Sequence, residues 1–238
     1  MDLKFRTLKA DEIEVRVGAT DKNKKKWVSL LLYKNARVDM DILDETVGKT
    51  YWKRRHVRDN ANCIVSIYDK DKKEWIEKED TGSESNTEAN KGQASDSFKR
   101  ACVNWGIGRE LYSAPKIFVY AKDDDEFNKL KNNTYSVKSI TYSIDNKILG
   151  LVIVDKSGNV VYQKKSDTVT KAQIIKIQEL LKVLGSEFKT HLYEKLDITT
   201  SKELSFAKAK DLIGKLEEKV KEKENKEKSK KVINENNE

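Results

Sequence analysis

The 238-residue chain is 37% hydrophobic and 37% charged, and its 48 Lys and Arg against 40 Asp and Glu give a formal net charge of +8. This length allows one substantial domain plus a smaller one, with a charge-crowded surface biased toward anionic partners such as nucleic acid. Two cysteines in apolar patterns (Cys63, Cys102) and two distant histidines (His56, His191) exclude a disulfide framework and a zinc-type ligand cluster.

The segment Met1 to Gly18 is charged and alternating, unlike a secretory signal, and the apolar run Val28 to Tyr33 is too short to span a membrane. An intracellular protein in a reducing, cytoplasmic compartment is expected. Lys22 to Lys26 reads as a basic loop. Trp27 to Tyr33 reads as a buried strand, and Val38 to Val47 as a short helix with Met40, Leu43 and Val47 at helical spacing and Gly48 as its stop. Three strands follow, Tyr51 to Val57, Asn62 to Tyr68 and Glu74 to Glu79, the last two joined by the polar turn Asp69 to Lys73. Within the second, Cys63, Val65 and Ile67 form a core face against a partly covered face of Ile64, Ser66 and Tyr68.

Thr81 to Asn86 is a polar loop, with Asn86 or Thr87 placed to cap the next helix. Between Asn90 and Tyr112 runs the most informative segment. At 100° per residue, Ala94, Phe98, Ala101, Cys102 and Trp105 share one face, while Lys99 and Arg100 lie off it beside Gly92, Ser95 and Asp96. Such a basic, low-relief side can press against an anionic polymer, or it can simply be solvated. Gly106 and Gly108 end the helix and Pro115 forbids its continuation. Ile117 to Tyr120 is a short strand and Asp123 to Glu126 an acidic loop without the ligand spacing of a cation site. Tyr135 to Ile144, Ile148 to Asp155 and Asn159 to Gln163 complete the strands.

From Thr168 the pattern is helical. Thr170 and Gln173 have capping-box spacing ahead of Ile174, Ile177, Leu181 and Leu184, with Gly185 as the stop. Phe188, Leu192 and Leu196 mark a second helix, and Ala209, Leu212, Ile213, Leu216 and Val220 share a face of a third. Residues 168–220 are thus expected as a small all-helical domain after a core domain over 1–165. Residues 221–238, nearly all Lys, Glu and Asn, are expected as a frayed helix or disordered tail.

Several stretches carry a family likeness: Asn35-Ala36-Arg37-Val38, Leu43 to Gly48 leading to Trp52, and Cys63 to Tyr68 with the Glu-rich strand and Gly82 behind it. The most specific is Ser97-Phe98-Lys99-Arg100-Ala101 followed by Trp105-Gly106. In this order the chain resembles the single-strand annealing proteins of the Rad fifty-two superfamily, and most closely the bacteriophage Sak-type branch, over roughly Lys9 to Tyr120. The resemblance implies an α+β fold in which an antiparallel β-sheet packs on a long basic helix. It also implies single-stranded DNA binding and ATP-independent annealing in recombination and repair, by a homo-oligomer (ring or helical filament) with DNA in an outer groove and no cofactor or metal. By position, Lys99 and Arg100 match the groove-lining pair and Arg37 a basic residue of the opposite wall. Val103 replaces a further arginine, and Lys49, grouped with the DNA-contacting residues, falls near a position that is aromatic in the family.

Annealing needs no bond-making residue, only phosphate contacts that leave bases free to test partners. Lys53, Arg54, Arg55 and Arg58 form a second basic cluster, open to two readings: DNA contact, or a strand edge kept soluble by charge. Tyr51 and Trp52 fit core packing better than base stacking. No phosphate-binding loop or nucleophile elbow is present, so a non-enzymatic protein is expected. The alternatives are a metal-dependent nuclease using Glu74, Glu77, Lys78 and Glu79, and an adaptor whose C-terminal helices recruit single-strand-binding or host replication proteins.

Overall fold

The structure, a computed structural model, describes residues 3–23, 26–83 and 89–235, with side chains left aside at 89–90 and 227–235. The fold is mixed α+β with antiparallel sheets and, among the described residues, six α-helices. The expected caps at Asn86 or Thr87 and part of the Lys22 to Lys26 loop lie outside the described residues. Two compact units divide the chain: Met1–Lys138 with Val152–Tyr162, and Ser139–Leu151 with Gln163–Glu238.

The strands are β1 (Ile13–Asp21), β2 (Trp27–Lys34), β3 (Trp52–Val57), β4 (Asn62–Asp69), β5 (Glu74–Thr81), β6 (Ile117–Tyr120), β7 (Tyr135–Tyr142), β8 (Ile148–Asp155) and β9 (Val160–Lys164). The helices are α1 (Ala36–Val47), α2 (Ala89–Trp105), α3 (Asp124–Lys131), α4 (Lys171–Leu184), α5 (Ser186–Leu196) and α6 (Phe206–Glu235). One sheet has the order β6-β2-β1-β7-β8-β9 and the other β3-β4-β5.

In the first unit, β4 is central to its three-stranded sheet, and its Cys63, Val65 and Ile67 are wholly buried. Against this face lies α2, whose Ser97, Phe98, Ala101 and Cys102 are equally buried. Burying a side chain the size of Phe98 contributes about 1.5–3 kcal/mol. Trp52 stacks on it with ring centroids 6.2 Å apart, and the Trp52 indole donates to Asp44 Oδ1 at 2.6 Å. The helix is anchored at its end as well: Trp105 Nε1 donates to the Val65 carbonyl (3.0 Å), and Gly106 turns the chain away at φ +107°. Between β4 and β5, Asp69 Oδ1 accepts from the Asp71 and Lys72 amides, which folds the polar turn back on itself.

The segment Asp123 to Glu126, expected as a loop, instead opens α3. Asp123 Oδ1 accepts from the Glu126 amide at 2.7 Å, with Asp124, Asp125 and Glu126 in the first turn and Lys129 and Lys131 in the last. This order of charges complements the helix dipole, which explains a helix where composition alone reads as solvated acid.

In the second unit, Thr170 caps α4 in a reciprocal box with Gln173. Ile174, Ile177 and Leu181 of α4 bury against Ala209, Leu212 and Leu216 of α6. The unit is not all-helical, because Ser139–Leu151 belongs to it and Ile144 packs against the same cluster. The segment 221–235, expected as a frayed helix or a disordered tail, is the continuation of helix α6, and 236–238 lie outside the described residues.

Candidate nucleic-acid interface

A hollow of about 250 Å³ opens beside α2. One wall is α2 itself, through Asp96, Lys99, Arg100 and Val103, and the other is the end of β2, through Leu32, Tyr33 and Lys34. Gly108, Leu111 and Tyr112, from the 3-10 turn at Arg109–Ser113 and the residue before it, complete the lining. Lys99 is half-buried and Arg100 exposed, so both ammonium and guanidinium stems rise from a helix whose opposite face is locked into the sheet. The lining is therefore apolar and phenolic with a cationic rim, a combination that can hold phosphates at the rim and let a planar base rest inside. Tyr112 is 72% exposed there.

Arg100 is not free of counter-charge. Its Nε lies 3.3 Å from Asp80 Oδ1, and Asn104 Nδ2 donates to the other oxygen of Asp80 at 3.3 Å. Both side chains of the pair are partly solvated, so the contact is weak and can be exchanged for a phosphate.

Beneath the hollow lies a buried ion pair. Lys34, at 4% exposure, donates through Nζ to both carboxylate oxygens of the fully buried Asp39. Burial pushes the Asp39 carboxyl up to about 6, the Lys34 ammonium and then Lys99 pull it back down, and Glu110 adds to the push. Glu110 is buried too, where its Oε1 accepts from the Leu8 amide at 2.6 Å. The Lys34 stem runs across Gly108, where a Cβ would come within 2.2 Å of Lys34 Cε. Gly108 also sits at φ +69°, so this position requires glycine on both counts.

The other expected site residues spread out. Val103 lines the hollow with Lys99 and Arg100. Arg37, in the first turn of α1, and Lys49, just after it, are exposed and stand outside the lining. Arg54 turns toward α2, with its guanidinium 4.6 Å over the Phe98 ring, and thus helps roof the core. Lys53 lies 4.2 Å over Trp75 on the opposite face of the sheet. Arg58 opens a left-handed run, Arg58, Asp59 and Asn60, in the turn between β3 and β4. Tyr51 stays 37% exposed beside Tyr68, while Trp52 is held in the core.

Sequence reasoning missed Lys34, Asp39 and Glu110. For Lys34 a signal existed: the alternation of Val28 and Leu30 puts every second residue of β2 on the core face, and Lys34 continues that series. Among the described residues no group of three or more His, Cys, Asp or Glu converges to hold a metal ion, and no helix is long and apolar enough to cross a membrane. The acidic strand proposed for a nuclease splits by face: Glu77 and Glu79 bond Ser66 and Asn62, whereas Lys78 reaches the Asn104 carbonyl at the end of α2.

No curated protein and no solved structure matches the chain. A family model described as Rad52/22 family double-strand break repair protein matches residues 5–130, which spans every residue of the hollow and more than half of the chain. The chain belongs to the Rad52/22 family.

Proposed function

We propose that the protein binds single-stranded DNA along the Lys99–Arg100 side of α2 and anneals complementary strands without ATP, as a phage recombinase of the Sak type. The observation that carries this reading is the hollow itself: a cationic pair raised on a rigid helix over an apolar and phenolic floor, inside the family-matched segment. Lys99 and Arg100 hold phosphates, and Tyr33 and Tyr112 offer ring faces to bases, so the strand is gripped by its backbone while base edges stay available for pairing. The sheet of β3 to β5 packed on basic α2 is then the annealing core, Arg37 and Lys49 extend the path of the strand, and Val103 softens the grip where a further cation would stand. Repetition of a weak site in a homo-oligomer supplies avidity in place of strong single contacts. The unit holding α4 to α6 serves as an adaptor toward single-strand-binding or host replication proteins in the bacterial cytoplasm.

The test compares wild type with Lys99→Ala/Arg100→Ala. Binding of a labelled single strand should weaken at every salt concentration, and the slope of log affinity against log salt should flatten by about 1.4, from two lost contacts at about 0.7 each. In magnesium without nucleotide, wild type should turn complementary strands into duplex of unchanged length. A folded double variant that binds like wild type would sink the groove assignment, and shortened strands would support a nuclease instead.

A further inference from the structure

The hollow beside α2 holds less net charge than its cations suggest. Lys34, Lys99 and Arg100 line it together with Asp96, while Asp39 and Glu110 are buried behind them. These cations are thus matched by carboxylates, and Arg100 also answers Asp80 at 3.3 Å. Among the carboxylates Asp39 is the one most firmly fixed by the fold. Lys34 Nζ donates to both of its oxygens, it has no exposed surface, and the Lys34 stem lies against Gly108, where the missing side chain leaves room for it. The elements packed around Asp39 each present a group to it. From β2 comes Lys34, from α2 come Lys99 and the Cys102 thiol, which burial holds in its protonated form, and from the 3-10 turn comes Glu110. The strand β3 instead turns Trp52 to Asp44 and Arg54 to the Phe98 ring.

We propose that Asp39 sets the grip of the hollow through a proton: ionised, it neutralises Lys34, and a strand that enters the hollow binds together with a proton on Asp39. The inference rests on the single-strand reading above and names a positioning residue for that site. Asp39 touches no ligand. It acts through Lys34 and Lys99, the two lysines that line the hollow and also bear on its carboxyl. A phosphate held by these lysines brings a negative charge close to a buried carboxylate, where neither solvent nor salt screens the repulsion well. The carboxylate escapes by taking up a proton, which leaves the Lys34 ammonium without a counter-charge beside the phosphate. Burial has already raised the Asp39 carboxyl to about 6, so the step is set just below neutral pH. Linkage fixes the sign. A bound strand raises the proton affinity of Asp39, so protons raise the affinity for the strand by the same factor, and the gain builds as pH falls from the bound value through the free one.

Fluorescence anisotropy with labelled oligothymidylate at constant ionic strength tests this on the full chain, because neither the bases nor the phosphodiesters of this probe exchange a proton between pH 8 and pH 5. Wild type should bind about tenfold more tightly at pH 5 than at pH 8, with most of the gain above pH 6. Asp39→Asn, which fixes the neutral state, should bind more tightly than wild type at pH 8 by about that factor and converge with it at pH 5. Lys34→Met/Asp39→Leu lacks both members of the pair and should lack the wild-type gain on acidification. It carries the test if circular dichroism shows Asp39→Asn unfolded. Calorimetry at pH 6.5 in buffers of different ionisation heat gives a second readout: wild type should take up about half a proton more on binding than either variant. His56 and His191 are common to all three proteins, so the differences isolate Asp39. Parallel pH profiles in wild type and variants, or equal proton uptake, would overturn the inference and leave the DNA reading standing. No binding of the probe at any pH would overturn both.

Discussion

Replacing Lys34 by Met probes the pair under the hollow. Lys34 Nζ donates to both oxygens of Asp39, and Asp39 has no exposed surface, so losing the ammonium strands a carboxylate that water cannot reach. Breaking a buried pair from one side costs about 3–5 kcal/mol. At about 2–4 °C per kcal/mol for a unit of this size, the melting temperature at pH 7 should drop by about 6–20 °C. The deficit should shrink in acid. The Asp39 carboxyl already titrates near 6 with Lys34 beside it, above the ordinary value of 3.8, and without that ammonium it moves higher. A folded state that holds the proton more tightly than the unfolded chain gains stability as pH falls through the folded pKa. The double variant Lys34→Met/Asp39→Leu removes both charges and should recover most of the loss. Thermal unfolding followed by circular dichroism at pH 7 and pH 5 reads all three proteins. If Lys34→Met melts within a degree or two of wild type, or the double variant is no better than the single, the pair is not the buried unit described here.

Two further outcomes follow from surface pairs. Asp80→Asn should tighten single-strand binding at low salt by up to about fivefold, since an exposed pair contributes up to about 1 kcal/mol and its loss frees Arg100 for phosphate; weaker binding in fluorescence anisotropy would contradict this. Glu12 takes the Arg6 fork at 2.7 Å on each oxygen and the Lys9 amide at 2.7 Å, and the Arg6 hydrogen bonds hold its pKa below the usual 4.5. Its contribution is present above that value and lost as pH falls through the lower folded one, so a melting gap between wild type and Glu12→Gln should exist at pH 7 and narrow as pH falls below 4.5. A gap that persists unchanged at pH 3 would refute it.

Much of the first unit is legible in the sequence. The alternation of Cys63, Val65 and Ile67 reports a strand with one buried face because a pleat has a period of two, and the spacing from Ala94 to Trp105 reports a helix because its period is 3.6. Phe98 at the centre of that helix face is the centre of the packing as well. Legibility fails where a residue's meaning depends on a distant partner. Arg54 sits in a run of cations that looks uniformly solvated, yet it faces α2 while Lys53 and Arg55 face away, a split set by pleat parity and by the position of a helix that begins 35 residues on. Asp39 reads as one acid among several in α1; its partner Lys34 is only five residues earlier, but the pairing depends on the turn from β2 into α1 between them. The strand order β6-β2-β1-β7 likewise crosses the chain out of sequence, which no local pattern encodes.

Gly82 marks a junction with no room for adjustment. A Cβ there would lie 2.3 Å from the Ser97 amide nitrogen and 2.5 Å from the Gln93 carbonyl oxygen, both backbone atoms of α2. The Gly82 amide meanwhile donates to Ala61 O at 2.7 Å, and Ser97 Oγ reaches Asn60 O at 3.2 Å. Main chain meets main chain from three elements at one point. Elsewhere in the core a poor fit can be repaired by a second substitution nearby, since side chains trade volume with one another. Here no side chain stands between the partners, so a change has nothing to trade with. Side chains on the outer face of α2, where Lys99, Arg100 and Val103 stand, can therefore be exchanged without disturbing this junction, while the helix's distance from the end of β5 stays invariant. Grip on a nucleic acid can be retuned residue by residue without moving the platform that presents it.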